Sequence, residues 1–112
     1  FAAWRLIGRD FITGFLETIA GRLVAVAFPF LSPKTLVDRS PRFMRLGVKE
    51  LEAKVTWRSP KEAHLTLNGP HLGAAHLVAG VVEVCFERLK VTPKVSANNL
   101  DGINGELVVS WV

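Results

Sequence analysis

Three histidines, one cysteine and one pair of glutamates are the residues of this 112-residue chain whose types invite chemistry. His71 and His76 stand five apart, which puts their imidazoles on different faces of a helix. His64 falls on the polar side of an alternating segment, so a two-histidine metal centre is not supported. Glu83 and Glu87, four apart, share a helical face and could work as an acid–base pair. The same face carries His76 and Lys90, so the simpler reading is a solvated strip. Cys85 lies among Val81, Val82 and Phe86, where a thiol is normally buried and inert. A single cysteine also excludes an internal disulfide and any Cys-x-x-Cys site. No Gly-x-Ser-x-Gly elbow, phosphate-binding loop or dinucleotide fingerprint occurs. The residues predict no catalytic group, no metal and no enzyme.

The elements that would position these side chains follow from hydrophobic periodicity. Phe1 to Phe28 reads as one long helix, with Trp4, Ile7, Phe11, Phe15, Ile19, Leu23 and Val26 at spacings of three and four. Gly8, Gly14 and Gly21 weaken it by about 1 kcal/mol each relative to alanine, a cost that suggests close approach of another backbone. Pro29 ends it. Ser32-Pro33 and Ser40-Pro41 each pair a capping residue with proline at the first helical position. They predict two short helices, Pro33–Asp38 and Pro41–Leu46, with Gly47 as a stop.

The period then switches to two. Residues 50–57 and 63–68 alternate apolar and polar around the turn at 58–62, the pattern of a hairpin with one buried face. His71 to Lys90 returns to helical spacing with only a thin polar line, so it must be packed on most sides. Val91 to Ala97 and Glu106 to Trp111 complete a second hairpin around the turn residues Asp101-Gly102 and Asn104-Gly105. The predicted fold is α+β: a long N-terminal helix, two short helices, a ββ hairpin, a helix and a second ββ hairpin. A four-stranded, mostly antiparallel sheet should carry the helices on one face, in a single domain over 1–112.

The hydrophobic fraction of 49% excludes a disordered chain. All of the net +4 charge lies in residues 1–46, which hold seven basic against three acidic groups. Its densest part holds Arg39, Arg42 and Arg45, an anionic-surface candidate whose simpler reading is a solvated connector. A break at Ser40-Pro41 should splay Arg39 from the other two. Nucleic acid is not expected, because neither a stacking platform nor a recognition helix is visible. The apolar run from Ile19 to Leu31 contains Arg22 and is shorter than the ~20 residues that span a bilayer. No transmembrane segment or secretory signal is read, and a cytoplasmic location is expected.

Residues 5–21, Arg-Leu-Ile-Gly-Arg-Asp-Phe-Ile-Thr-Gly-Phe-Leu-Glu-Thr-Ile-Ala-Gly, resemble the signature helix of an uncharacterised bacterial family expanded in myxobacteria. Its pattern there is Leu-Gly-x-x-Phe-x-x-Gly-Phe-x-x-Thr-x-x-Gly. The connector Pro41-Arg42-Phe43-Met44-Arg45-Leu46-Gly47 and the closing strand Leu107-Val108-Val109-Ser110-Trp111 are also similar to that family. The family has a further N-terminal helical region, so the chain reads as the C-terminal part of a longer one. The family is in turn similar to the ligand-binding fold of haem–nitric-oxide sensors, vinyl-reductase-type regulatory domains and subunits of the Golgi transport tether. The haem sensors use a Tyr-x-Ser-x-Arg clamp, and this chain has no tyrosine. The vinyl-reductase-type domains carry late cysteines, and residues 91–112 have none. Neither haem nor that metal site carries over, and no cofactor is expected.

The resemblance and the apolar helices together imply a non-enzymatic sensory or adaptor domain that binds an apolar small molecule, such as a lipid, or a partner protein. The candidate pocket lining is Phe15, Ile19, Leu23, Phe28, Trp57, Leu77, Val81 and Cys85, whose simpler reading is plain core. The alternatives are a self-associating structural module and a weak anionic-surface binder through Arg39, Arg42 and Arg45.

Overall fold

The structure, a computed structural model, describes residues 2–18, 21–23, 26, 32–47, 51–68, 74–99 and 104–112. Its elements are α1 (Ala2–Glu17), α2 (Pro33–Gly47), β1 (Glu52–Ser59), β2 (Glu62–Asn68), α3 (Ala74–Arg88), β3 (Lys94–Asn99) and β4 (Asn104–Ser110). The strands form one antiparallel sheet in the order β1-β2-β4-β3, as the α+β reading requires. Val55 pairs with Leu65 and Leu65 with Leu107, so the period-two segments meet in register. Ala63, Leu65, Leu67, Leu107 and Val109 turn to one face and are buried, while His64, Thr66 and Glu106 occupy the other.

The first helix is shorter than its periodicity predicts, because Thr18 breaks it. The Thr18 hydroxyl donates to the Phe15 carbonyl (2.6 Å) and accepts the Gly21 N–H (3.0 Å). The Thr18 carbonyl accepts the Arg22 N–H (2.8 Å), so a new helical turn at 21–23 starts from a threonine cap. A Cβ on Gly21 would collide with the Phe15 carbonyl, so the break requires glycine there.

The second correction concerns the two short helices, which are one. Ser32 caps it as expected, accepting the Thr35 N–H through Oγ (3.1 Å) and the Leu36 N–H through its carbonyl (3.0 Å). Pro41 lies inside α2 and has no N–H for the Val37 carbonyl. The Ser40 hydroxyl donates to that same carbonyl at 2.6 Å. Serine here satisfies the acceptor that proline abandons, and the helix runs on.

Two strand boundaries also differ. At the end of α3 the Val91 N–H reaches back to the Phe86 carbonyl (3.1 Å), with Lys90 left-handed at φ 59°, and this exit delays β3 to Lys94. Asn104-Gly105 is strand rather than turn, with Gly105 opposite Leu67 and Asn99. A Cβ on Gly105 would stand 2.7 Å from the Ala75 Cβ, so this glycine serves helix–sheet contact.

The helices share one side of the sheet but in two tiers. α3 lies on the sheet, its Phe86 fully buried like Leu65, Leu107 and Val109 of the strands, and α2 packs on β1. α1 rests on α3 instead of on the sheet. Their backbones meet directly: a Cβ on Gly8 would overlap the Leu77 carbonyl, and one on Gly80 the Arg5 carbonyl. Arg9 Nη2 donates to both carboxylate oxygens of Glu87 at 2.9 Å, and Arg5 Nε lies 3.6 Å from Glu83. Gly80→Ala is expected to lower stability by about 3 kcal/mol, since backbone must move to admit the methyl group. Urea denaturation checks this as a lower midpoint with an unchanged slope.

Candidate functional site

The α1 positions Gly8, Ile12 and Leu16, at four-residue steps, lie on the inward side of the helix. The other side of the same helix carries Leu6, Ile7, Phe11 and Phe15, all exposed to solvent, together with Asp10 and Gly14. Leu23 and Val26 continue the exposure beyond the Thr18 break, and the six large apolar side chains range from 37% to 73% exposed. Monomeric domains rarely leave such a run uncovered unless something binds there. The sequence masks this face, because α1 is apolar on two sides and the line Ile7–Phe11–Phe15 reads as core.

Among the described residues, the predicted pocket side chains lie on different elements and at different depths. Leu77, Val81 and Cys85 form one line along α3; Leu77 meets α1, and Cys85 is buried in the core. Burial pushes the Cys85 thiol up to about 12, which keeps it protonated and unreactive. Trp57 closes the β1 end of the core, edge-on to Trp111 with centroids 6.0 Å apart, and Trp111 in turn meets Phe86 at 5.3 Å. Phe15 and Leu23 are on the exposed side instead, and Ile19 and Phe28 lie outside the described residues.

The basic candidates sit on α2. Arg39 and Arg42 are exposed, and the unbroken helix keeps positions 39, 42 and 45 on one side rather than splaying Arg39 away. Lys34, on the same helix, is neutralised by Asp38 at 3.0 Å. Asp38 also accepts the Trp57 indole N–H at 2.8 Å, and Lys34 stands 5.2 Å from the centre of that ring. This clasp between α2 and β1 has no sequence signal, since its partners are 19 residues apart.

His64 bonds Glu106 at 2.9 Å on the uncovered sheet face, and Asn98 donates to the other Glu106 oxygen at 3.3 Å. These bonds, the histidine's first, hold the Glu106 carboxyl below its ordinary range. His76 is pushed down by burial and then by neighbouring positive charge, Arg5 included. His71 lies outside the described residues. Among the described residues no three His, Cys, Asp or Glu side chains gather as metal ligands. Glu83 and Glu87 line an open cleft of about 440 Å³ with Lys90, Val91, Thr92 and Pro93, and both carboxylates are engaged by α1 arginines. No described helix is long and apolar enough to cross a membrane.

Comparison with known proteins fits this geometry. A family model described as protein of unknown function (DUF2378) matches residues 1–112. No curated protein matches the sequence. The fold is similar to that of the Fe(II) unliganded H-NOX protein from K. algicida, with a TM-score of 0.74 at 9% identity. That superposition covers 97% of this chain and 61% of the other. An oxygen-binding H-NOX domain related to soluble guanylate cyclases gives 0.61 at 14% identity, over 97% of this chain and 60% of that one. This chain therefore spans about three fifths of the length of these H-NOX structures.

The Trp57 and Lys34 bonds hold the Asp38 carboxyl below its ordinary value of 3.8. Stability from the clasp is therefore present above that value and lost as pH falls through the lower, folded-state one. The stability gap between wild type and Asp38→Asn is expected to be open near neutral pH and to close below about pH 4, as urea titrations across pH would read it.

Proposed function

This chain belongs to the DUF2378 family, and from that premise we propose that it is a non-enzymatic sensory or adaptor domain working in the cytoplasm. Its docking surface is the outer face of α1, which receives an apolar ligand or a protein partner. The observation that carries this reading is the solvent-exposed run Leu6, Ile7, Phe11 and Phe15. The H-NOX-like fold supports a sensory role, since H-NOX neighbours include an oxygen-binding domain.

Haem does not fit the described residues. The space between α3 and the sheet is filled by Phe86, Leu65, Leu107 and Val109, and Gly105 against Ala75 leaves no gap for a flat ring. His64 is held by Glu106 on the far face of the sheet, His76 lies beside Arg5, and Cys85 remains a thiol. What the chain's own residues do is present apolar surface on a helix whose other side is locked to α3.

The test uses palmitate as an apolar probe in isothermal titration, with wild type and Phe11→Asp. Wild type should bind saturably, and Phe11→Asp should weaken binding at least about tenfold. Its circular dichroism should be unchanged, because Phe11 is exposed and not one of the buried core residues. A wild-type chain that binds neither palmitate nor a protein through this face would overturn the reading.

A further inference from the structure

Beyond residue 46 the basic and acidic groups cancel in the sequence, but the fold sorts them. Lys94 pairs with Ser110, Ser110 with Glu62 and Glu62 with Ser59, so the start of β3, the end of β4 and the β1–β2 turn lie together. The Trp111 N–H donates to the Lys61 carbonyl at 3.1 Å, and the Trp111 ring meets Phe86 of α3 at 5.3 Å, which brings the α3 exit to the same end. Arg58, Lys61, Arg88, Lys90 and Lys94 therefore gather at one end of the domain, and all five are exposed. None forms an ion pair among the described residues. The nearby carboxylates do not offset them: Glu87 is bonded by Arg9, Glu83 lies beside Arg5, and Glu62 is one half-buried group.

From this we infer that the end of the domain formed by the β1–β2 turn and the α3 exit rests on an anionic phospholipid surface. Charge complementarity calls for a partner carrying many negative charges. The placement of the cations selects a surface over a strand. Lys94 stands on the open face of the sheet, on the opposite side from Val95, whereas Arg88 and Lys90 belong to the helix side. Arg58 and Lys61 flank the turn between them. The cations thus surround a protruding end, while a nucleic-acid strand is tracked by cations set along a groove with open aromatic platforms. A headgroup layer meets such an end from every side, and each cation brought to it raises binding about fivefold. Trp57 and Trp111, both half-buried at this end, are the residue type that membrane interfaces favour. This surface is separate from the outer face of α1 and does not rest on the reading given to that face.

Co-sedimentation of the whole chain with vesicles of phosphatidylcholine containing about 30% phosphatidylserine tests the inference. Wild type should bind these vesicles at low salt, ignore vesicles of phosphatidylcholine alone, and be released by about 0.5 M salt. Lys61→Glu combined with Lys94→Glu should weaken binding at least about tenfold. Arg39→Glu combined with Arg42→Glu changes the net charge by the same amount but on α2, and should weaken binding at most about threefold. All four side chains are exposed, so circular dichroism should be unchanged in both variants. The inference is overturned by a wild type that leaves the anionic vesicles unbound or binds phosphatidylcholine equally well. Equal weakening in the two double variants also overturns it, because net charge rather than this end of the domain would then govern binding. Saturable binding of single-stranded DNA without vesicle binding would assign the cations to nucleic acid and overturn it as well.

Discussion

The closeness of α1 to α3 is the constraint on which this fold depends. With no side chain at Gly80 to hold Arg5 away and none at Gly8 to hold Leu77 away, the two backbones touch. That contact determines which side chains of α1 face inward, and it leaves Arg5 and Arg9 within reach of Glu83 and Glu87. It also explains how a helix as apolar as α3 is accommodated. The sheet covers one side of it, α1 covers another, and only a narrow strip meets water. The sheet contact uses the same device, with Gly105 admitting Ala75.

A helix pressed so tightly on one side cannot turn its second apolar face inward. Gly8, Ile12 and Leu16 take the core side, and Phe11 and its neighbours remain in water. The H-NOX-like architecture is thus kept while the interior near α3 is filled with Phe86, Leu65, Leu107 and Val109. Among the described residues the space between α3 and the sheet is occupied by side chains, while apolar surface lies open on the outer side of α1.

Much of the architecture was legible because two periodicities were clean. Alternation through Ala53, Val55 and Trp57 and through Ala63, Leu65 and Leu67 gave the first hairpin and its register, and the thin polar line of 71–90 gave a nearly surrounded helix. The family resemblance carried by residues 5–21 also stands, with the family model matching 1–112. What periodicity could not reveal were polar side chains acting locally on the backbone. Thr18 sits where a helix could continue, and only its hydroxyl bonds show that one ends there. Ser40-Pro41 has the composition of a helix start, but the hydroxyl mends a helix already running. The candidate site is half legible: Phe15 and Leu23 stand out in the sequence as apolar positions, but their exposure does not. An amphipathic pattern names an apolar stripe without saying which of two stripes faces in.

The indole of Trp57 joins elements that are distant in the chain. Its N–H is fixed to Asp38 on α2, its ring lies edge-on to Trp111 at 83°, and Trp111 touches Phe86 on α3. Two indoles held this near, one of them beside a carboxylate and an ammonium group, are coupled chromophores in a fixed, asymmetric field. With Trp4 replaced by phenylalanine, their near-ultraviolet dichroism would monitor how α2, the sheet and α3 sit together, without any label. The protein carries a built-in optical gauge of its own tertiary alignment.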